Sequence, residues 1–262
     1  MNHYVIPLLF IAVVYATMII LNERVGLFRD SFPSTGLKAA AYVWLGLFLG
    51  LLTLLIVASA YAPPSAKDLS RVPFYSLFTL HAILIIFLAG WWLFSGRPPL
   101  LRFLNIQRDH PGEAVMTGLA VGVGGWMVTI LLAIAIAYIL QATGVLPKNP
   151  EPSAMIAWMA SLPVWKKVMI VISAMTVEEA FFRGWLQKRV GLIGSTMLFA
   201  LAHSGLGQPF LLVGVAIISL VIGFTFYRTK NLIPGIIAHG VFDAVQLFVV
   251  IPIAFKAVGM GG

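Results

Sequence analysis

The chain has 262 residues, of which 60% are hydrophobic and only 10% are charged, and its mean hydropathy is +0.99. Soluble domains carry roughly 25% charged residues, so this composition excludes a soluble globular protein and indicates several membrane-spanning helices. The net charge of the chain is +8. In a membrane protein, lysine and arginine are enriched in cytoplasmic loops that face anionic lipid headgroups, so this charge does not predict a nucleic-acid partner. The absence of cysteine excludes disulfides, thiol nucleophiles and cysteine-ligated metals.

Apolar runs of about 18 or more residues indicate spanning helices. The sequence therefore predicts an all-α polytopic membrane protein, a single membrane domain over residues 1–262, in which the sixth run is short and the fifth is polar in its second half. The first run has no basic residue ahead of it and no clear cleavage site, so we interpret it as a retained helix and not a signal peptide. The eight runs lie at roughly 4–21, 39–61, 74–94, 115–140, 165–188, 192–206, 209–227 and 233–255.

The connecting segments carry proline, glycine and polar residues that interrupt helices, as in "YAPPSAKDLSRVP" and "TGVLPKNPEPSAM". Interleaved arginines and leucines at 97–113 predict either a short interfacial helix or an ordinary basic loop. No internal repeat or soluble domain is visible.

The basic residues predict an orientation. With eight spans both termini lie on one side, together with Lys67, Arg71, Lys148, Lys166, Lys167 and Lys256. The opposite side holds the larger set: Arg24, Arg29, Lys38, Arg97, Arg102, Arg108, Lys188, Arg189, Arg228 and Lys230. The positive-inside rule places the larger set in the cytoplasm, so we expect both termini to face outward.

Ionisable side chains recur at one depth in the second half of the chain. Glu178 and Glu179 lie about ten residues, or roughly 15 Å, from the cytoplasmic end of their run. Later runs reach a comparable depth at His203, and again at His239 and Asp243. A charge near a helix centre costs about 2.5–3.5 kcal/mol on insertion scales. Such residues should face one another or a wet cavity, and they indicate a functional site.

The spacing of these residues favours a shared pocket. Glu179 and Arg183 are four residues apart on one helix face, so the arginine can neutralise that carboxylate. Glu178 points about 100° away and is left to face something else. His239 and Asp243 are also four apart, which lets the carboxylate fix the tautomer and orientation of the imidazole.

Other notable residues are interpreted as packing. A Glu–Arg pair alone is often a structural clasp, and His81, isolated in the third run, is read as a hydrogen-bond partner between helices. The small residues of "GLAVG" at 118–122 predict a helix-packing surface. Four aromatic residues are expected either to pack or to face lipid: Phe181, Phe182, Trp185 and Phe199.

The ionisable residues that share this depth fit one kind of chemistry, hydrolysis by an activated water. A carboxylate beside an imidazole in a low-dielectric pocket can polarise a water and accept its proton, and a second histidine or a protonated acid can stabilise the resulting oxyanion. Ser204 is poorly placed for a catalytic triad, and the HExxH zinc motif is absent. A metal held by four side chains remains an alternative, the ligands being Glu178, His203, His239 and Asp243.

Three motifs follow in order: the EExxxR of "EEAFFR", the FxxxH from Phe199 to His203, and the HxxxD from His239 to Asp243. They resemble the motifs of the CPBP family, the CAAX proteases and bacteriocin-processing enzymes, which includes the type II CAAX prenyl endopeptidases. The resemblance covers residues 165–250 as a catalytic core. It leaves the N-terminal helices at 1–140 without an assigned role.

The resemblance implies a glutamate-dependent intramembrane endopeptidase with no obligatory metal or other cofactor, acting on a membrane-associated protein or peptide in a bacterial cytoplasmic membrane. Glu178 would be the water-activating base, assisted by His203. His239 and Asp243 would form the oxyanion-stabilising side. Glu179 and Arg183 would be the supporting pair.

Asp243 departs from the family pattern, because prenyl-processing members carry an asparagine there. An ionised aspartate cannot donate a hydrogen bond, so either Asp243 is protonated or it orients His239, which then donates alone. Prenylated peptides, peptide precursors and the membrane-anchored tails of exported proteins all remain possible substrates. The rival classes are a non-catalytic membrane scaffold or immunity factor on the same fold and a proton-coupled transporter, although no paired helix breaks in two halves indicate a transporter.

Overall fold

A computed structural model of the protein describes residues 16, 32–61, 65–145, 153–206 and 209–257. These residues form helices and no β-strand, which confirms the all-α prediction. The α-helices are α1 (Thr35–Tyr61), α2 (Ala66–Arg71), α3 (Thr79–Phe94), α4 (Leu100–Phe103), α5 (Pro111–Ala142), α6 (Ala154–Ser161), α7 (Val164–Ser173), α8 (Lys188–Ala202), α9 (Pro209–Thr229), α10 (Leu232–Val245) and α11 (Ile251–Ala257).

Five stretches of the described residues are long and apolar enough to cross a membrane: Thr35–Leu55, Phe74–Phe94, Pro111–Ala142, Leu211–Thr229 and Leu232–Lys256. They correspond to five of the eight predicted runs and confirm a polytopic membrane protein. The run at 4–21 lies outside the described residues. The runs at 165–188 and 192–206 are helical but are not among these five stretches. The first carries several charged residues. Most of the second lies in α8, which has only 15 residues.

The fifth run changes its winding shortly before its two glutamates. After α7 the chain continues as π-helix over Ala174–Glu178 and Ala180–Gln187. A π-helix pairs each carbonyl with the fifth amide along the chain; such segments are rare and frequently lie at functional sites. The chain then bends at Gly191, whose φ of +74° suits a residue without a side chain. This bend confirms the predicted break between the fifth and sixth runs.

Aromatic rings join the N-terminal helices to the π-helical segment. Phe48 of α1 stacks on Phe87 of α3 with ring centroids 3.9 Å apart, and Phe87 meets Trp185 edge-on at 4.7 Å. Such pairs stabilise beyond their buried area by about 0.5–1.5 kcal/mol. The four aromatic residues for which packing or lipid contact was expected are all buried, so they are packing residues: Phe181, Phe182, Trp185 and Phe199.

Two glycines bring α5 against α10. A Cβ atom at Gly118 would lie 2.6 Å from the Cβ of Ile237, and one at Gly122 would lie 2.7 Å from the Cβ of Val241. No real side chain fits at those distances, so only glycine permits this approach. The predicted packing surface at 118–122 is confirmed, and its partner is the helix that carries His239.

One end of the bundle brings together two residues of the larger basic set, Lys188 and Lys230. Lys188 Nζ donates to the carbonyl of Phe103 and to Asn105 Oδ1, both at 2.8 Å, and Gln107 Nε2 donates to the carbonyl of Lys230. The stretch at 97–113 therefore contains one short helical turn, α4, followed by a loop that joins this end to α9 and α10. The side of the membrane on which this end of the bundle lies stays a prediction.

Candidate active site

A cavity of about 410 Å³ lies between the π-helical segment, α3, α8, α9 and α10, within the size range of small-ligand sites. All four residues predicted as catalytic line it: Glu178, His203, His239 and Asp243. Much of the remaining wall is apolar and includes Leu77, Leu80, Ile156, Met159, Val215 and Leu247. The structure thus brings together residues that the sequence places on three separate helices.

Glu179 lies behind the cavity at the centre of a buried network. Its Oε1 atom is 3.0 Å from Arg183 Nη1 and 2.8 Å from His239 Nδ1, and its side chain is completely buried. Arg183 Nη2 donates to the carbonyl and hydroxyl of Ser219 at 3.2 and 3.1 Å, and the guanidinium lies over the ring of Phe199. A buried charge is tolerated when it is paired and hydrogen-bonded, which explains how this apolar segment accommodates the pair.

Glu178 faces the cavity and has two different oxygen atoms. Oε1 lies 3.0 Å from His81 Nε2. Oε2 is buried and has no hydrogen-bond partner among the described residues. One oxygen is therefore held by a neighbouring helix, and the other is left to accept a proton or a hydrogen bond. The two adjacent glutamates diverge as predicted.

His203 lies at the C-terminal end of α8, where the chain leaves the helix. Its Nδ1 atom is 2.9 Å from the carbonyl oxygen of Phe199. A carbonyl can only accept, so Nδ1 carries the proton of this bond. In the neutral ring Nε2 is then the acceptor. A histidine in this tautomer can receive a hydrogen bond from a water.

His239 lies between two carboxylates. Nε2 is 3.4 Å from Asp243 Oδ2, as the four-residue spacing predicts, but Nδ1 makes the shorter contact, 2.8 Å, with Glu179 Oε1. The sequence interpretation paired Glu179 with Arg183 alone and missed this bond. It arises because α10 approaches closely at Gly235, where a Cβ atom would lie 3.2 Å from Glu179 Oε2.

Among the described residues that line the cavity, His81 is the ionisable one that the sequence interpretation did not place in the site. Its predicted role as a hydrogen-bond partner between helices is confirmed, yet the partner is Glu178. The available signal was its position as an ionisable residue within an apolar run, which by itself indicates function. In the described part of the chain no group of three or more histidine, aspartate and glutamate side chains is arranged to hold a metal ion.

Residues 160–245 match the family model described as Rce1-like, Type II CAAX prenyl endopeptidase Rce1-like. No curated protein and no solved structure matches the chain. The matched region is about a third of the chain and contains all six predicted site residues. The predicted resemblance is thereby confirmed for this region, which is similar to the type II CAAX prenyl endopeptidases.

Proposed function

We propose that this membrane protein hydrolyses a peptide bond of a membrane-associated protein or peptide by means of a water activated by Glu178 and His203. The observation that carries the proposal is the unpartnered oxygen of Glu178, a residue that lines a cavity together with three histidines and Asp243. Burial in an apolar wall strengthens the electrostatic interactions of these groups. The family match over residues 160–245 supports the same reaction class.

The hydrolytic step follows from the roles of the two groups. Glu178 Oε2 accepts a proton from water while the water oxygen attacks the carbonyl carbon of the peptide bond. His203 Nε2 accepts a hydrogen bond from the same water and orients it. When the carbon–nitrogen bond breaks, the proton held by Glu178 passes to the departing nitrogen. The products are a carboxylic acid and an amine, and no covalent enzyme intermediate forms.

His239 and Asp243 are proposed to stabilise the oxyanion of the tetrahedral intermediate. Nδ1 of His239 faces the Glu179 carboxylate. A hydrogen-bond donor on the Nε2 side of the ring therefore requires one further proton, which is bound either to Nε2 or to Asp243. That proton provides the hydrogen bond to the developing charge. Glu179 and Arg183 hold His239 and the π-helical segment in place and do not line the cavity.

The cavity wall favours an apolar substrate segment, since most of its lining residues carry no charge. Prenylated peptides, peptide precursors and membrane-anchored tails all meet this condition. The placement in a bacterial cytoplasmic membrane with both termini outside follows from the basic residues and the family resemblance, and it remains part of the proposal.

The test is peptide cleavage by the purified full chain in liposomes, with a panel of membrane-anchored peptides and products identified by mass spectrometry. Glu178→Gln and His203→Ala should each lower kcat by about 10²–10⁴-fold, because general-base assistance is lost. Glu113→Gln is the matched control: Glu113 is exposed in the first turn of α5, and cleavage should stay at the wild-type level. A chelator should leave cleavage unchanged.

Other outcomes would identify the alternatives. Loss of cleavage with chelator, restored by zinc, would establish the metal-dependent protease. A folded Glu178→Gln protein that cleaves like the wild type would refute the proposed mechanism. A folded Glu178→Gln variant that still supports the protein's role in cells would identify a non-catalytic scaffold or immunity factor.

A further inference from the structure

One ionisable cavity residue lies outside the family-matched region. Among the described residues that line the cavity, His81 is the single ionisable one outside 160–245. It belongs to α3, and its side chain is 12% exposed. Its two ring nitrogens make different contacts: Nε2 lies 3.0 Å from Glu178 Oε1, and Nδ1 lies 3.0 Å from the hydroxyl oxygen of Ser173.

The chemistry of these three groups assigns the direction of both hydrogen bonds. An ionised carboxylate only accepts, so Nε2 carries the proton that it donates to Glu178. In the neutral ring Nδ1 is then an acceptor, and the Ser173 hydroxyl is its donor. A single tautomer of His81 satisfies both partners, and Ser173 selects that tautomer.

We propose that His81 is a positioning residue for Glu178, an inference that rests on the proposed hydrolytic function. Its bond occupies Oε1 and restrains the rotation of the carboxylate, so that Oε2 is directed to the water. A carboxylate without this restraint would spend much of its time in unproductive orientations, and precise orientation accounts for large rate factors in catalysis. The active site therefore includes a residue from the N-terminal helices.

Two other roles for this trio differ from the proposal in testable ways. A serine nucleophile activated by His81 would require Ser173 to reach the substrate, but Ser173 is not among the residues that line the cavity. A packing role for His81 would rest on its contact with the ring of Phe78, with centroids 6.1 Å apart. Phenylalanine preserves such packing without donating, whereas glutamine can donate from an amide nitrogen near the position of Nε2.

The experiment measures kcat and KM for liposome-embedded full-length variants on a peptide that the wild type cleaves. His81→Phe should lower kcat by about 10- to 100-fold, the usual effect of losing a hydrogen bond to a charged group, with KM changed by less than about threefold. His81→Gln should recover most of that loss. Ser173→Ala should lower kcat by roughly three- to tenfold, and Ser173→Thr, which keeps the hydroxyl, should restore it.

Several results would overturn the inference. They are a wild-type kcat for both His81→Phe and Ser173→Ala, an equal loss in His81→Phe and His81→Gln, and a Ser173→Ala defect as large as that of Glu178→Gln. The Ser173 pair tests the idea even where His81→Phe does not fold. Glu178→Gln, assayed alongside, separates the two proposals. If Glu178→Gln cleaves normally, the proposed hydrolytic function is refuted. If Glu178→Gln is inactive while the His81 and Ser173 variants cleave normally, only the proposed role of His81 is refuted.

Discussion

The family-matched region and the helices that precede it contribute different things to the site. Residues 160–245 supply most of the buried charge: Glu178, Glu179, Arg183 and His239 are all buried. The described helices before them supply mainly aromatic rings and glycine surfaces, which shape and hold the charged segment. The difference teaches that the motif residues supply most of the ionisable groups of the candidate site, whereas their geometry depends on helices that carry no recognisable motif.

The largest effect should come from breaking the buried pair within the matched region. Arg183→Met leaves the Glu179 carboxylate buried without its cation, which should destabilise the protein by about 3–5 kcal/mol. Thermal unfolding in lipid should show a fall in Tm of roughly 10 °C, with loss of cleavage. The double variant Glu179→Gln, Arg183→Met should regain much of the Tm but not the activity. A wild-type Tm for Arg183→Met would contradict the assigned role of the pair.

A second prediction concerns the contribution of the helices before the matched region. Gly122→Val should push α10 away from α5, because a Cβ there would lie 2.7 Å from Val241. Overpacking of this kind costs about 1–3 kcal/mol, and displacement of His239 should reduce kcat by up to about 100-fold. Thermal unfolding measures the loss of stability, and the cleavage assay measures the fall in kcat.

The matched control for the glycine variant lies two residues away on the same helix. A Cβ at Gly124 meets nothing within 4 Å, so Gly124→Val should leave kcat unchanged. Equal defects in the two variants would show that α5 is sensitive to any added side chain and that its contact with α10 is not specific.

The smallest effect is expected from the substitution Asp243→Asn, at the residue that departs from the family pattern. Asp243→Asn should keep kcat within about tenfold of the wild type, because the amide can still donate a hydrogen bond. Asp243→Leu, which has no donor, should lose about 10²–10³-fold. A strongly impaired Asp243→Asn with unchanged folding would favour a purely orienting carboxylate.

Much of the site could be predicted because helix geometry is regular. The divergence of Glu178 from Glu179 and the four-residue pairs follow from residue spacing along a helix. The bond between His239 and Glu179 could not be predicted, because it depends on how closely α10 packs. The π-helical winding gives no pattern that hydropathy detects. His81 was interpreted only as a hydrogen-bond partner between helices, because a single histidine in an apolar run does not reveal which residue it contacts.

The number of spanning helices could also be predicted only in part. Apolar runs in the sequence predict eight spans, whereas five helices among the described residues meet the criterion of length and apolar composition. The run at 165–188 fails the same criterion because it carries the charges of the site. The charged residues of the candidate site thus lower the hydropathy by which a spanning helix is recognised.

The buried network also has a consequence for biosynthesis. Glu178 and His81 are separated by 97 residues along the chain, and Glu179 and His239 by 60. During synthesis the charged segment emerges before α9 and α10, so Arg183 and Glu179 at first lack Ser219 and His239. Because unpaired charges are costly in a bilayer, this segment should enter the membrane fully only after its later partners. A ribosome-stalled chain that ends after α8 should leave the segment accessible to water-soluble labels.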